Sequence, residues 1–207
     1  NLALFYLISR QIGNMLRMYQ MSKEQRRMQQ KLEALVREIR EKNEVLNFLS
    51  ESDALTGSLN RRGFMEKAVQ INRENAGKEM VILFADLDHL KEINDSFGHI
   101  EGDFAIRQCA EVLKSAVGDS GVIGRIGGDE FCAMLPGNVD DGQRIRERVR
   151  RESNEFNSDS DKPYYVELSV GYHVVCCGSD LIISDVLKDA DEALYEEKKK
   201  RRKSVKK

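Results

Sequence analysis

Residues 122–136, VIGRIGGDEFCAMLP, are two apolar runs joined through Gly127, Gly128 and Asp129. Glycines in so short a gap between strand-like runs read as a β-hairpin. Upstream, MVILFAD at 80–86 is a continuous apolar run of strand length, and YYVELSVGYHVV at 164–175 is a further strand. Helical periodicity fills the gaps. A helix starts at about Asn60, another spans 101–117 with Phe104, Ala105, Cys109, Val112 and Leu113 on one side, and polar-rich helices follow at 139–156 and 182–200. The order is helix, β, α, α, β, β, α, β, α. A hairpin this tight cannot be a parallel crossover, which argues against a doubly wound parallel sheet. The reading is an α+β fold, an antiparallel central sheet with a split βαβ arrangement covered mainly on one face by helices.

Ahead of this body, residues 15–50 hold neither Pro nor Gly and read as one long helix. Met28, Leu32, Leu35, Ile39, Leu46 and Leu49 recur in steps of four and three, with one missed step at Lys42. That is a heptad seam along which two chains can zip into a homodimer. A helix laid on its own domain would carry a broader apolar face. The pattern breaks at Ser52 and Asp53, so the division is placed there: 1–52 as an N-terminal signalling helix or coiled coil, 53–207 as the folded domain.

The chain has 207 residues, 41% hydrophobic and 33% charged, with only 2 Pro. That size and balance suit one ordinary domain plus an accessory segment, not a disordered or low-complexity chain. Residues 198–207, KKKRRKSVKK, hold eight basic side chains. Taken from a formal net charge of −2, they leave −10 for the remainder. An acidic body repels phosphate backbones, so no nucleic-acid partner is expected. Cys109, Cys132, Cys176 and Cys177 lack metal-type spacing and suit a reducing cytoplasm. LALFYLI at 2–8 is cut short by Arg10, too soon for a membrane span, and lacks the basic flank of a signal peptide. The chain does not begin with Met, and an upstream sensory element is expected outside it, through which the parent protein could be membrane-attached.

Asp86 and Asp88 sit where the most apolar strand leaves the core, and Asp129 and Glu130 sit at the hairpin turn. If the acids closing one edge strand meet those at the bend, three or four carboxylates converge. Such a cluster repels itself unless a cation neutralises it, and hard oxygen donors select Mg²⁺ or Mn²⁺. Each piece alone also reads as an ordinary Gly-Gly-Asp turn or a strand end frayed into acids. In DLDHLKEINDSFGHIEGD, Lys91 is placed to meet a phosphate, while Asn94 and Asp103 flank a loop containing Gly98. A carboxylate accepts from both N1–H and N2–H of guanine, a pattern adenine lacks. The plainer alternative makes Asn94 and Asp103 helix caps.

These residues resemble one known family, the GGDEF diguanylate cyclases. DALTGSLNRR at 53–62, FADLDHLKEINDSFGHIEGD at 84–103, GGDEF at 127–131, SVG at 169–171 and ADEALYEEKKK at 190–200 stand in that family's order and spacing. The resemblance implies a ferredoxin-like, palm-like nucleotide-cyclase core that condenses two GTP into cyclic di-GMP with release of pyrophosphate, each subunit of a dimer holding one GTP. It implies that Asp86 and Asp129 ligate two Mg²⁺ (or Mn²⁺) with help from the Leu87 carbonyl, and that Glu130 activates the 3′-hydroxyl or binds metal. Asn94 and Asp103 fall on its guanine-reading positions, and Lys91, Lys198 and Arg202 on its phosphate-contacting ones. The competing reading is a catalytically silent GTP-binding regulatory module.

Several positions depart from the family's pattern. Ser58, Leu59 and Leu90 look like packing changes, and Arg201, Arg202 and Lys203 replace the usual closing Gly-Arg-Asn. Members inhibited by their own product carry Arg-x-x-Asp ending five residues before the Gly-Gly, and here those positions are Gly118 and Gly121. No inhibition by cyclic di-GMP through that site is therefore expected. Tight product binding that is lost on mutating residues 118–121 would contradict this.

Overall fold

The structure is a computed structural model that describes residues 51–204, with side chains through Lys199. It also describes residues 15, 18, 21, 23, 25–33, 35–39 and 42 of the N-terminal segment. Leu46 and Leu49 of the proposed seam lie outside the described residues. The chain divides into two compact units, Asn1–Phe48 and Leu49–Lys207. In the first, residues 25–33 and 35–39 are helical, and Met28, Leu32, Leu35 and Ile39 are exposed. Among the described residues no helix is long and apolar enough to cross a membrane.

The second unit runs β1 (Leu59–Asn60), α1 (Arg61–Glu74), β2 (Glu79–Leu87), α2 (Leu90–Phe97), α3 (His99–Val117), β3 (Val122–Arg125), β4 (Glu130–Pro136), α4 (Val139–Asp159), β5 (Leu168–Cys176) and α5 (Ile183–Ser204). The sheet order is β1-β3-β4-β2-β5. β4 inserts between β2 and β3, and β2 between β4 and β5, so each half is a split βαβ unit. β2 is antiparallel to both neighbours, and β3 is antiparallel to β4. The two-residue β1, absent from the sequence reading, pairs parallel with β3 and makes the sheet mixed.

The helices cover both faces rather than mainly one. Val81, Leu83, Ala85 and Leu87 of β2 pack with Ala105, Cys109 and Leu113 of α3 and Val149 of α4. The alternate residues Met80, Ile82 and Phe84 pack with Phe64 of α1 and Leu187, Ala190 and Leu194 of α5. The cause lies in β2, whose uninterrupted apolar run must be buried on both sides. Nor is β2 an edge strand, because β4 and β5 flank it.

Local chemistry sets the helix starts. Asn60 Oδ1 accepts from Gly63 N at 3.0 Å to cap α1, and Asn138 and Asp141 form a reciprocal capping box at α4. β5 begins at Leu168 rather than residue 164, because Asn157 of α4 occupies the backbone of Val166 on both sides, accepting from its N at 2.8 Å and donating to its O at 3.0 Å.

Gly171 fixes the distance of α5 from the sheet. A Cβ there would collide with the backbone of Ala190 and Leu194, atoms that cannot swing aside. Gly171→Ala should cost about 1–3 kcal/mol in a urea unfolding titration, through overpacking.

Candidate active site

Asp86 continues the side-chain parity of Met80, Ile82 and Phe84, so it extends the sheet face covered by α5. It pairs across β4 with Glu130 and across β5 with Ser169. Directly opposite residues on neighbouring strands project to the same side. One residue on, Leu87 N donates to Asp129 O at 3.0 Å, which ties the hairpin turn to the end of β2. Leu87 itself is buried on the opposite face. Beyond Asp88 the chain turns sharply at His89, whose left-handed φ of 63° is shared by no other non-glycine residue among those described.

The turn is clamped from behind. Ile126 N donates to Glu130 O at 2.8 Å. Arg125 donates from Nε and Nη2 to Gly128 O at 3.1 and 2.7 Å, and from Nη1 to both carboxylate oxygens of Asp53 at 3.1 and 3.2 Å. Asp53 also accepts from Thr56 N and Oγ1. Burial pushes its carboxyl up, but these hydrogen bonds outweigh burial and hold it below the ordinary aspartate value. Gly127 makes room for Glu130, because a Cβ there would meet the Glu130 carboxylate; at Gly128 the same position faces open space.

Asp86 and Asp88 share the cation of Lys198. Lys198 Nζ of α5 lies 2.5 Å from Asp86 Oδ1 and 3.3 Å from Asp88 Oδ1, and Ser169 Oγ donates to Asp88 Oδ2 at 2.7 Å. Burial pushes the Asp86 carboxyl above its ordinary value; Lys198 pulls it back, and the charges of Asp129 and Asp88 push it up again. Burial likewise raises Glu130, with Asp129, Asp86 and Asp191 adding to the shift. Lys198 is raised despite burial because Asp86 and Asp88 both favour its charged form. The Lys198 ammonium holds Asp86 and Asp88, and Arg61 offsets part of the repulsion at Glu130.

The convergence read from the sequence is met in the backbone and only partly in the side chains. Among the described residues no three His, Cys, Asp or Glu side chains are gathered as a metal-binding group in their present orientations. Asp86 and Asp88 are instead paired with the Lys198 ammonium of α5.

Asn94 packs against Gly102, the residue before Asp103. Asn94 Oδ1 occupies the space a Cβ on Gly102 would fill, so its side chain lies against the residue before Asp103. Neither side chain is a cap: α3 starts at Gly98 with no side-chain cap, and the Asn94 carbonyl closes α2 by accepting from Gly98 N at 2.9 Å. Asp103 is exposed on α3, and Lys91 is exposed on the first turn of α2 with no hydrogen bond or ion pair to another described residue. Arg202 lies in the last turns of α5, but its side chain falls outside the described set. Sequence reasoning missed Ser169, Arg125 and Asp53. Arg125, two residues ahead of the Gly-Gly turn, offered a local signal, and Asp53 and Ser169 fall within the quoted motif blocks at 53–62 and 169–171.

The family model described as "Diguanylate cyclase, GGDEF domain" matches residues 50–204. Diguanylate cyclase DgcP of Escherichia coli K12 is 36% identical over 177 residues, a match covering 83% of this chain and 51% of that protein. The chain thus spans about half the length of that relative. Among solved structures, the coiled coil and GGDEF domain of DgcB from Caulobacter crescentus, in complex with c-di-GMP, superposes with a TM-score of 0.71 at 26% identity, covering 80% of this chain and 90% of that one. The diguanylate cyclase SiaD, in complex with its activator SiaC from Pseudomonas aeruginosa, gives 0.68 at 28% identity, covering 96% and 81%.

Glu130 carries a raised carboxyl, so its contribution to stability is present below the ordinary carboxylate range and lost as pH rises through the folded value. Glu130→Gln should therefore stabilise the domain at pH 7, on the order of 0.5 kcal/mol after solvent screening. The gain should vanish below about pH 4, where both side chains are neutral. Denaturant titrations at the two pH values test this.

Proposed function

We propose that this chain, which belongs to the GGDEF family of diguanylate cyclase domains, joins two molecules of GTP into cyclic di-GMP with release of pyrophosphate, one GTP on each subunit of a homodimer. The observation that carries the reading is the Gly127–Phe131 turn tied by backbone to the acid end of β2, with Asp86 across from Glu130.

The donor set suits a hard divalent cation. The four acids outnumber the described cations that act on them, Lys198 and Arg61, and the carboxyls of Asp86 and Glu130 are raised in part by neighbouring negative charge. Asp86, Asp129 and the Leu87 carbonyl would hold Mg²⁺ or Mn²⁺. When bound, such ions supply Lewis acidity to the attacking hydroxyl and the α-phosphate. Glu130, with its raised carboxyl, takes the proton from the 3′-hydroxyl as that oxygen attacks the α-phosphorus of the other nucleotide and pyrophosphate leaves.

Asp103 accepts from guanine N1–H and N2–H, and Asn94 adds an amide bond on the same edge. Lys91 and Arg202 meet phosphate, and Lys198 exchanges Asp86 and Asp88 for phosphate oxygens when GTP enters. The exposed apolar side chains of Met28, Leu32, Leu35 and Ile39 support dimerisation through the N-terminal helix. A cytoplasmic site, where GTP is available, and control by an upstream sensory element complete the reading.

Incubation with GTP and Mg²⁺ should yield cyclic di-GMP by mass spectrometry. Asp129→Asn and Glu130→Gln should each lower the rate at least about 10²-fold with circular dichroism unchanged. Retained turnover in either variant refutes the assigned roles. Saturable GTP binding without product, in a chain held dimeric by a fused zipper, favours the silent regulatory module.

A further inference from the structure

The connection from α4 to β5, residues 160–167 (SDKPYYVE), is fastened at both ends to parts of the candidate site. At one end, the Tyr164 ring lies 5.4 Å from that of Phe97, the last residue of α2. The Tyr164 hydroxyl donates to Glu101 in the first turn of α3, reaching both its carboxylate and, at 3.4 Å, its carbonyl. Tyr164 therefore touches the two helices on either side of the Gly98 corner. Lys162 Nζ completes the fastening, with both Glu101 oxygens at 3.0 and 2.8 Å and the Phe104 ring centroid at 4.3 Å. At the other end, Asn157 grips Val166 through both backbone groups, and Glu167 O accepts from Asp88 N at 2.9 Å.

The corner held by Tyr164 carries Asn94 and Asp103. Glu101 is followed directly by Gly102, against which Asn94 packs, and then by Asp103. A change in the angle between α2 and α3 therefore changes the spacing of the base-reading pair. Fold stability alone gives little reason for the arrangement. The Lys162–Glu101 pair keeps 30% and 29% of its side-chain surface exposed, a setting in which ion pairs contribute little. Its value lies in geometry, where a small displacement of a recognition group costs binding.

We infer that residues 160–167 form a strap that sets the guanine-reading corner, with Tyr164 and Glu101 as positioning residues for GTP recognition. The inference rests on reading Asn94 and Asp103 as guanine readers. Base recognition is remote from the reacting atoms, so the strap acts on KM and on base preference rather than on kcat.

Steady-state kinetics of the full chain with GTP and with ITP, which lacks the 2-amino group, test it. Tyr164→Ala and Glu101→Ala should raise KM for GTP about five- to tenfold with kcat within about twofold, and should lower the GTP-over-ITP ratio of kcat/KM several-fold. Glu101→Gln, which still accepts from Tyr164 and Lys162, should restore KM to within about threefold of the parent. Tyr164→Phe keeps the ring and serves if the alanine variant does not fold; its KM should rise about two- to threefold. Folded variants with the parent's KM and base preference overturn the strap while leaving the cyclase reading intact. A parent chain that neither turns over nor binds GTP overturns both.

Discussion

A carboxylate held partly out of water at the end of a doubly buried strand must be answered by positive charge or hydrogen bonds, and this constraint organises the domain. β2 has no solvent face along most of its length, so Asp86 leaves the core with Glu130 on one flank and Ser169 on the other. The same side-chain parity that buries Ile82 and Phe84 under α5 presents Asp86 to that helix. Gly171 lets α5 lie close enough for Lys198 to arrive. Core packing and site electrostatics are thus set by one strand and one helix.

The parts that were legible from the sequence are those written in local pattern. The Gly-Gly turn between apolar runs announces the hairpin, and the continuous apolar run at 80–86 announces a buried strand. That Asp129 approaches the end of β2 is a condition the pattern leaves open, because it depends on which strands pair. What could not be read are facts about which side and which neighbour. An amphipathic helix declares that it has a buried face without declaring which face of a sheet it covers, and so nothing in the sequences of α1 and α5 gives them a layer of their own. Strand order is equally silent, which is why the acids were set on an edge strand when β2 lies inside the sheet.

Side-chain bonds between distant segments leave no period at all. Ser169 is 81 residues from Asp88, and Arg125 is 72 from Asp53. Tyr164 read as the start of a strand because aromatic and β-branched residues favour that state. Its ring instead braces two helices, and the strand waits until Leu168. Gly102 is helical and so owes nothing to unusual backbone angles; what it offers is the volume that Asn94 takes.

The ammonium of Lys198 has one more implication. Where a small domain relies on a metal to complete its fold, a chelator unfolds it. Here part of the neutralising charge is covalently attached to the polypeptide and arrives with α5. The architecture at this end of β2 therefore does not wait on a divalent ion, and the scaffold keeps its shape whether or not one is present.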